Sequence, residues 1–390
     1  WDQFISDPIQ GGAGTSANMN ANEVIANRAN QILGGELGKY DKVHPNDDVN
    51  MGQSTNDVYP SAGKIGALNI LPKLESEISE LVSSLFSKAS EFDDVIKMGR
   101  TQLQDAVPIR LGQEFHAYAS LLKRDLNRIE KAKISLENLN MGASAIGTGI
   151  NVDLMYFMEI VPEISRATGL PLRQASDLVD ATSNLDGIME MSSALKILAI
   201  DLNKICNDLR LMSSGPRTMI SDIVLPPRQN GSSIMPGKVN PVIPEVVNQV
   251  GFRVIGNDVT AVMCAEAGQM ELNAFEPVLF HTLYESIDMM TNAVNTFRIN
   301  CINGIKANRE KLKNDLEKSV GMVTALVPHI GYEKSAEIVK IAEKTNKTIR
   351  SIVLELGYLT EAELNEILDP WAMTRPGIAA KHLLKEKKHE

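Results

Sequence analysis

The residues best suited to chemistry lie in the run GSSIMPGKVNP, from Gly231 to Pro241. Two adjacent hydroxyls, Ser232 and Ser233, precede an ammonium, Lys238, and an amide, Asn240. Hydroxyls, an amide and one fixed positive charge are the groups that bind a carboxylate and stabilise negative charge as it develops. Gly231 and Gly237 give backbone freedom and Pro236 interrupts regular hydrogen bonding, so the stretch reads as a mobile loop between two long helical segments. Such a loop either closes over a substrate or serves as a surface linker, and composition does not choose between them. A phosphate-binding P-loop is excluded. Five residues separate Gly231 from Gly237, Val239 follows Lys238 where Ser or Thr is needed, and Pro226, Pro227 and Arg228 stand where a strand would run.

Three polar clusters upstream carry similar groups. Gly11, Gly12 and Gly14 bring backbone amides beside Thr15 and Ser16, ahead of a helix that becomes regular near Ala21; this is either an anion site or an ordinary capped helix. In HPNDDVNMGQSTND, Ser54, Thr55 and Asn56 stand immediately before a long helix whose first turn accommodates Pro60. They are caps or ligands, since both roles use the same residue types. The run KMGRTQLQDAVP, Lys97 to Pro108, offers Thr101 and Gln102 on what reads as a polar interhelical connection.

Long helices must position these groups. Leu71, Leu74, Ile78, Leu81 and Leu85 recur at spacings of three and four, with Pro72 predicting a kink and the helix ending near Phe92. Leu122, Leu126, Ile129 and Leu136 mark a second helix from about Leu111 to Leu139. Ile188, Met191, Leu195, Leu198, Leu202, Ile205, Leu209 and Met212 mark a third, stopped by Gly215 and Pro216. Segments from Glu245 to about Ala265 and from Phe275 to about Cys301 complete about five. The pattern predicts an all-α protein built on an elongated bundle of near-parallel helices. Its apolar stripes call for association with further copies. The expected division is 1–56, remainder of an N-terminal domain; 57–308, the bundle; and 309–390, a small helical domain in which Thr360 and Glu363 form a capping box.

Composition bounds the functional classes. With 390 residues and 43% hydrophobic content the chain can bury a sizeable core. A net charge of -10 disfavours nucleic acid as a partner. No apolar run reaches membrane-spanning length and no signal segment opens the chain, which points to the cytoplasm. Cys206, Cys264 and Cys301 have no paired spacing and are expected as reduced thiols, and the six histidines form no metal-binding pattern.

GSSIMPGKVNP, together with GGAGTS, GQSTND and GRTQLQDAVP in this order, resembles the fumarase and aspartase superfamily over essentially the whole chain. The resemblance implies a central helical bundle, a homotetramer and active sites assembled from three subunits; no cofactor and no metal are expected. PEVVNQV, AEAGQMELN and LQDAVP are similar to the branch that removes ammonia from aspartate, and Gln102 stands where fumarases carry His. The implied activity is reversible conversion of L-aspartate to fumarate and ammonia; the competing readings are hydration of fumarate to L-malate and a silent structural homologue. By resemblance, Ser232 is the general base at Cβ. Thr15, Ser54, Thr55 and Ser233 hold the β-carboxylate, Thr101, Lys238 and Asn240 the α-carboxylate, and Asn56 with Thr101 and Gln102 the amino group. Two departures stand out: chains of the family begin upstream of Trp1, and Gly52 replaces a serine, which is expected to loosen the turn before Ser54.

Overall fold

The computed structural model describes residues 2–231 and 234–384, so Ser232 and Ser233 lie outside the described residues. Helix α1 spans Thr15–Ile32, starting at Thr15 rather than near Ala21 because Gly14 adopts the left-handed conformation that turns the chain into it. A π-helical turn, Pro45–Val49, leads to α2, Thr55–Glu91, which runs unbroken through Pro60 and Pro72. Lys97 to Pro108 is not a plain connection. Strands β1 (Ile96–Thr101) and β2 (Gln104–Arg110) form an antiparallel hairpin before α3, Leu111–Leu136. Shorter helices α4 (Leu154–Thr168) and α5 (Leu178–Ser183) precede three long ones: α6 (Asp186–Met212), α7 (Val242–Glu266) and α8 (Glu276–Asn300). Among the described residues α2, α3, α6, α7 and α8 are the five long helices that the heptads predict.

The chain divides into two compact units. The first comprises Trp1–Glu80, Leu121–Lys204 and Glu245–Thr296. Its core is the apolar seam of the bundle: Leu71, Leu74 and Ile78 of α2 are fully buried, as are Leu122 and Ile129 of α3, Leu198 of α6 and Leu279 of α8. Burying such side chains contributes about 1.5–3 kcal/mol each. Polar cross-links set the alignment. Tyr284 Oη of α8 donates to the Gly63 carbonyl of α2 at 2.7 Å, and Ser192 Oγ of α6 donates to Asp258 of α7 at 2.7 Å. Asn257 of α7 donates to Ser286 of α8 at 3.0 Å. Gly63 is needed for close approach, since a Cβ there would lie 2.3 Å from the Phe280 ring.

The second unit comprises Leu81–Ser120, Ile205–Pro244 and Phe297–Glu390. It contains the hairpin, the described residues of the segment from Gly231 to Pro241 and the C-terminal helices. Ile338, Ile349, Ile352, Val353, Leu364 and Ile367 form a buried cluster with Leu326, and the Thr360–Glu363 capping box is present. The α9 helix, Arg309–Lys318, packs beside β1. Cys206, Cys264 and Cys301 are buried free thiols.

Gly63→Ala should lower the unfolding free energy by about 1–3 kcal/mol, because the Phe280 ring presents a broad, rigid face to the added methyl group. Thermal unfolding checks this; an unchanged midpoint would show that α8 shifts freely against α2.

Candidate active site

In the first unit, the start of α2 is organised by Asp57, a fully buried carboxylate. Its Oδ1 accepts from Ser54 N at 3.0 Å; its Oδ2 accepts from Gly142 N at 3.2 Å and Ser144 N at 3.0 Å. Ser54 Oγ accepts in turn from Asn56 N at 3.2 Å, so Ser54 and Asp57 cap the helix reciprocally. Burial pushes the Asp57 carboxyl upward, and the three loop amides oppose that shift. This one side chain therefore ties GQSTND to the glycine-rich loop that follows α3.

The same contacts orient the candidate ligands. Asn56 Nδ2 donates to Ala145 O at 2.8 Å, which leaves Oδ1 as the amide atom able to accept from a substrate ammonium. Asn140 Nδ2 donates to Asn56 O and to Thr182 Oγ1, both at 3.0 Å, and holds the backbone at this position. Thr55 Oγ1 accepts from Asn18 Nδ2 of α1 at 2.9 Å, so its own hydroxyl proton is available to a carboxylate. Thr15 is exposed at the start of α1, and its Oγ1 donates to Gly12 O at 2.8 Å. Engaging a carboxylate with that hydroxyl requires it to turn away from Gly12. Gly14 is indispensable beneath it, with φ of 94° and a virtual Cβ only 2.5 Å from the Tyr59 ring.

Gly52 has φ of 70°, a left-handed conformation that glycine adopts without the steric cost a serine would meet. Its virtual Cβ would only touch Tyr156 at 3.8 Å. The backbone thus suits glycine, and the expected loosening gives way to a residue matched to its turn. Behind these loops lies an ionisable group that sequence reasoning missed. Glu276, 2% exposed, is pushed up to about 8 by burial, while Lys64 pulls it back. Lys64 donates to Asn138 O at 2.8 Å and is itself lowered by burial, with Glu276 and Asp186 opposing. No periodicity announces this pair, because Glu276 reads as an ordinary first-turn residue of α8.

The second unit carries Thr101, Gln102, Lys238 and Asn240. Thr101 pairs with Gln104 across the hairpin, and Gln102 and Leu103 form its turn with φ of 52° and 63°. Positive φ at both positions defines a type I′ geometry normally given to Asn and Gly. Non-glycine residues there carry a strain of about 1–2 kcal/mol each. Lys238 is exposed, with its N–H on Met235 O at 3.2 Å, and Asn240 O accepts from Val242 N at 2.9 Å at the start of α7. Gly231 approaches Lys238 closely: a Cβ there would lie 2.5 Å from the Lys238 carbonyl oxygen. The structure thus brings Thr15, Ser54, Thr55 and Asn56 into one unit and Thr101, Gln102, Lys238 and Asn240 into the other. Among the described residues no cluster of His, Cys, Asp and Glu could hold a metal ion.

Because folding raises the Glu276 pKa, the folded chain binds more protons here than the unfolded chain between the ordinary glutamate range and about pH 8. Its contribution to stability is therefore full at low pH and falls as pH rises across that window. Glu276→Gln, which mimics the neutral form, should be near-neutral at about pH 4 and increasingly more stable than the parent as pH rises towards about 8, with the difference level above that. Denaturation midpoints across pH check this; parallel pH profiles for parent and variant would rule it out.

Comparison with known proteins places these features in a family. Residues 1–256 match the family model described as Lyase, and residues 322–375 match Fumarase C C-terminus. The chain is 56% identical over 380 residues to an aspartate ammonia-lyase from Bacillus sp, covering 97% of this chain and 81% of that protein. It is 54% identical over 385 residues to the aspartate ammonia-lyase of Bacillus subtilis (strain 168), covering 99% and 81% respectively. Among solved structures, it superposes on a fumarate lyase:delta crystallin from Brucella melitensis with TM-score 0.94 and 47% identity, covering 96% of this chain and 81% of the other. A class II fumarase from Schistosoma mansoni gives TM-score 0.92 at 35% identity, covering 96% and 82%. With helical architecture, motif order and near-full-length similarity all agreeing, the chain belongs to the fumarase and aspartase superfamily of lyases.

Proposed function

We propose that this chain is a carbon–nitrogen lyase, an aspartate ammonia-lyase that interconverts L-aspartate with fumarate and ammonia. The observation that carries this reading is the near-full-length similarity to proteins of that name. The candidate groups suit the chemistry. Removing the Cβ proton moves an electron pair onto the adjacent β-carboxylate, giving an enediolate-like intermediate that needs fixed donors. Its collapse forms the Cα=Cβ bond as the C–N bond breaks and ammonia leaves.

In this proposal Ser232 takes the proton as an alkoxide, and Ser233, Thr15, Ser54 and Thr55 receive the charge on the β-carboxylate. Lys238, Asn240 and Thr101 hold the α-carboxylate, while Asn56, Gln102 and Thr101 take the amino group. The Asn56 orientation supports its part, since the fixed Nδ2 bond leaves Oδ1 to accept from an ammonium. A serine alkoxide requires nearby positive charge and exclusion of water, which Lys238 and a closing loop would supply.

The proposed assembly is a homotetramer with sites shared between subunits, acting in the cytoplasm and requiring no cofactor or metal. An apolar face on α7 supports association. Phe252, Val259 and Met263 are 63%, 56% and 60% exposed at spacings of seven and four along one side. No helix is long and apolar enough to cross a membrane among the described residues. The division into 1–56, 57–308 and 309–390 is retained as the proposed domain plan.

Fumarate absorbance followed with L-aspartate and with L-malate should rise with L-aspartate; turnover of L-malate alone would refute the assignment. Ser232→Ala should abolish turnover without changing the assembly, and Lys238→Met should both raise KM and lower kcat. An unaltered kcat in Ser232→Ala would remove the serine-base role.

A further inference from the structure

The hairpin tip bearing Thr101 and Gln102 has positive φ at Gln102 and Leu103, and such a turn persists only where its surroundings hold it. Asp222, fully buried, is the residue placed to do so. Its backbone is pinned twice: Asp222 N donates to Met212 O at 2.7 Å, and Asn308 N donates to Asp222 O at 3.0 Å. Its Oδ2 receives both Lys97 Nζ at 2.7 Å and Arg100 Nη1 at 3.0 Å. Lys97 and Arg100 both lie on β1, and Arg100 immediately precedes Thr101.

Local backbone geometry aims Arg100 at this carboxylate. The hairpin register shifts between Met98 and Arg100, around Gly99, where a Cβ would lie 2.8 Å from Val107 O. An irregularity of this kind redirects the following side chain. The opposite strand is tied as well: Asp105, the cross-strand partner of Arg100, accepts from Ser319 Oγ at 2.9 Å.

We propose that Asp222 is a positioning residue for substrate binding, which through Arg100 holds Thr101 and Gln102 in the geometry that receives the α-carboxylate and amino group. This rests on the assignment of Thr101 and Gln102 as ligands. Stability alone is a poor account of the arrangement. Two cations share one buried carboxylate oxygen while Asp222 Oδ1 has no hydrogen-bond partner among the described residues, and such groups are costly to bury. Strained turns persist only where their surroundings over-determine them, and they cluster at functional sites.

The test uses the full chain in its native assembly, with Arg100→Gln, Arg100→Lys, Asp222→Asn and the Arg100→Gln/Asp222→Asn double variant. Steady-state kinetics with L-aspartate are read beside thermal midpoints. Arg100 is part-exposed, so its variants should remain folded. The expected result is a KM raised about tenfold or more in Arg100→Gln with a smaller change in kcat, and a substantial recovery in Arg100→Lys. The double variant should be no worse than the poorer single one, because both substitutions break the same contact. A KM for Arg100→Gln within threefold of the parent, or losses that multiply in the double variant, would overturn the proposal. Should Asp222→Asn not accumulate as folded enzyme, the Arg100 pair decides alone. Thr101→Val run in parallel separates the two levels. If it leaves KM unchanged, the ligand assignment fails and takes this inference with it; if it raises KM while Arg100→Gln does not, only the role of Asp222 fails.

Discussion

The buried Asp57 carboxylate is the constraint on which the first unit's candidate site depends. It accepts from Ser54, Gly142 and Ser144 amides, which belong to two loops far apart in the chain. Without it those N–H groups would lose their acceptor at a cost of about 1–3 kcal/mol for each one left buried and unpaired. Once Asp57 is in place, the positions of Ser54, Thr55 and Asn56 follow from helix geometry. Asn18 and Ala145 then fix the remaining freedom of the Thr55 hydroxyl and the Asn56 amide. Donors held in advance of the substrate are what a charge-developing reaction requires.

The second unit solves the same problem with charge rather than with backbone amides. Lys97 is 3% exposed and lies between Asp222 and Glu114, with 3.1 Å to the latter. Burial raises the Glu114 carboxyl, and Lys97 counters that shift. The hairpin is held by these ionic contacts and by Ser319 on Asp105, while its tip is left exposed. A rigid base and an exposed, strained tip are a sensible division of labour for a binding element, since the solvated groups at the tip remain free to meet a ligand.

Glycine serves two different purposes around the site. At Gly14 and Gly63 it admits an aromatic ring against the backbone, Tyr59 in one case and Phe280 in the other. At Gly52 it supplies a left-handed turn. Only the first kind is a packing requirement, and a glycine-rich stretch does not distinguish them by composition.

The sequence by itself determined the helical architecture, because heptad spacing is a one-dimensional property: Leu71, Leu74 and Ile78 must share a face whatever packs against it. The motifs GGAGTS, GQSTND, GRTQLQDAVP and GSSIMPGKVNP were likewise legible, since short polar runs between apolar helices stand out by type. Tertiary structure alone decided the rest. It turned the polar stretch around Thr101 into a hairpin, because strand pairing with Gln104–Arg110 is a contact between segments that no helical period reports. It also decided which acids are buried: Asp57, Asp222 and Glu276 look in sequence like any helix-capping or surface carboxylate. Desolvation and partner distance are properties of the folded surroundings, and those give otherwise ordinary side chains their distinct roles.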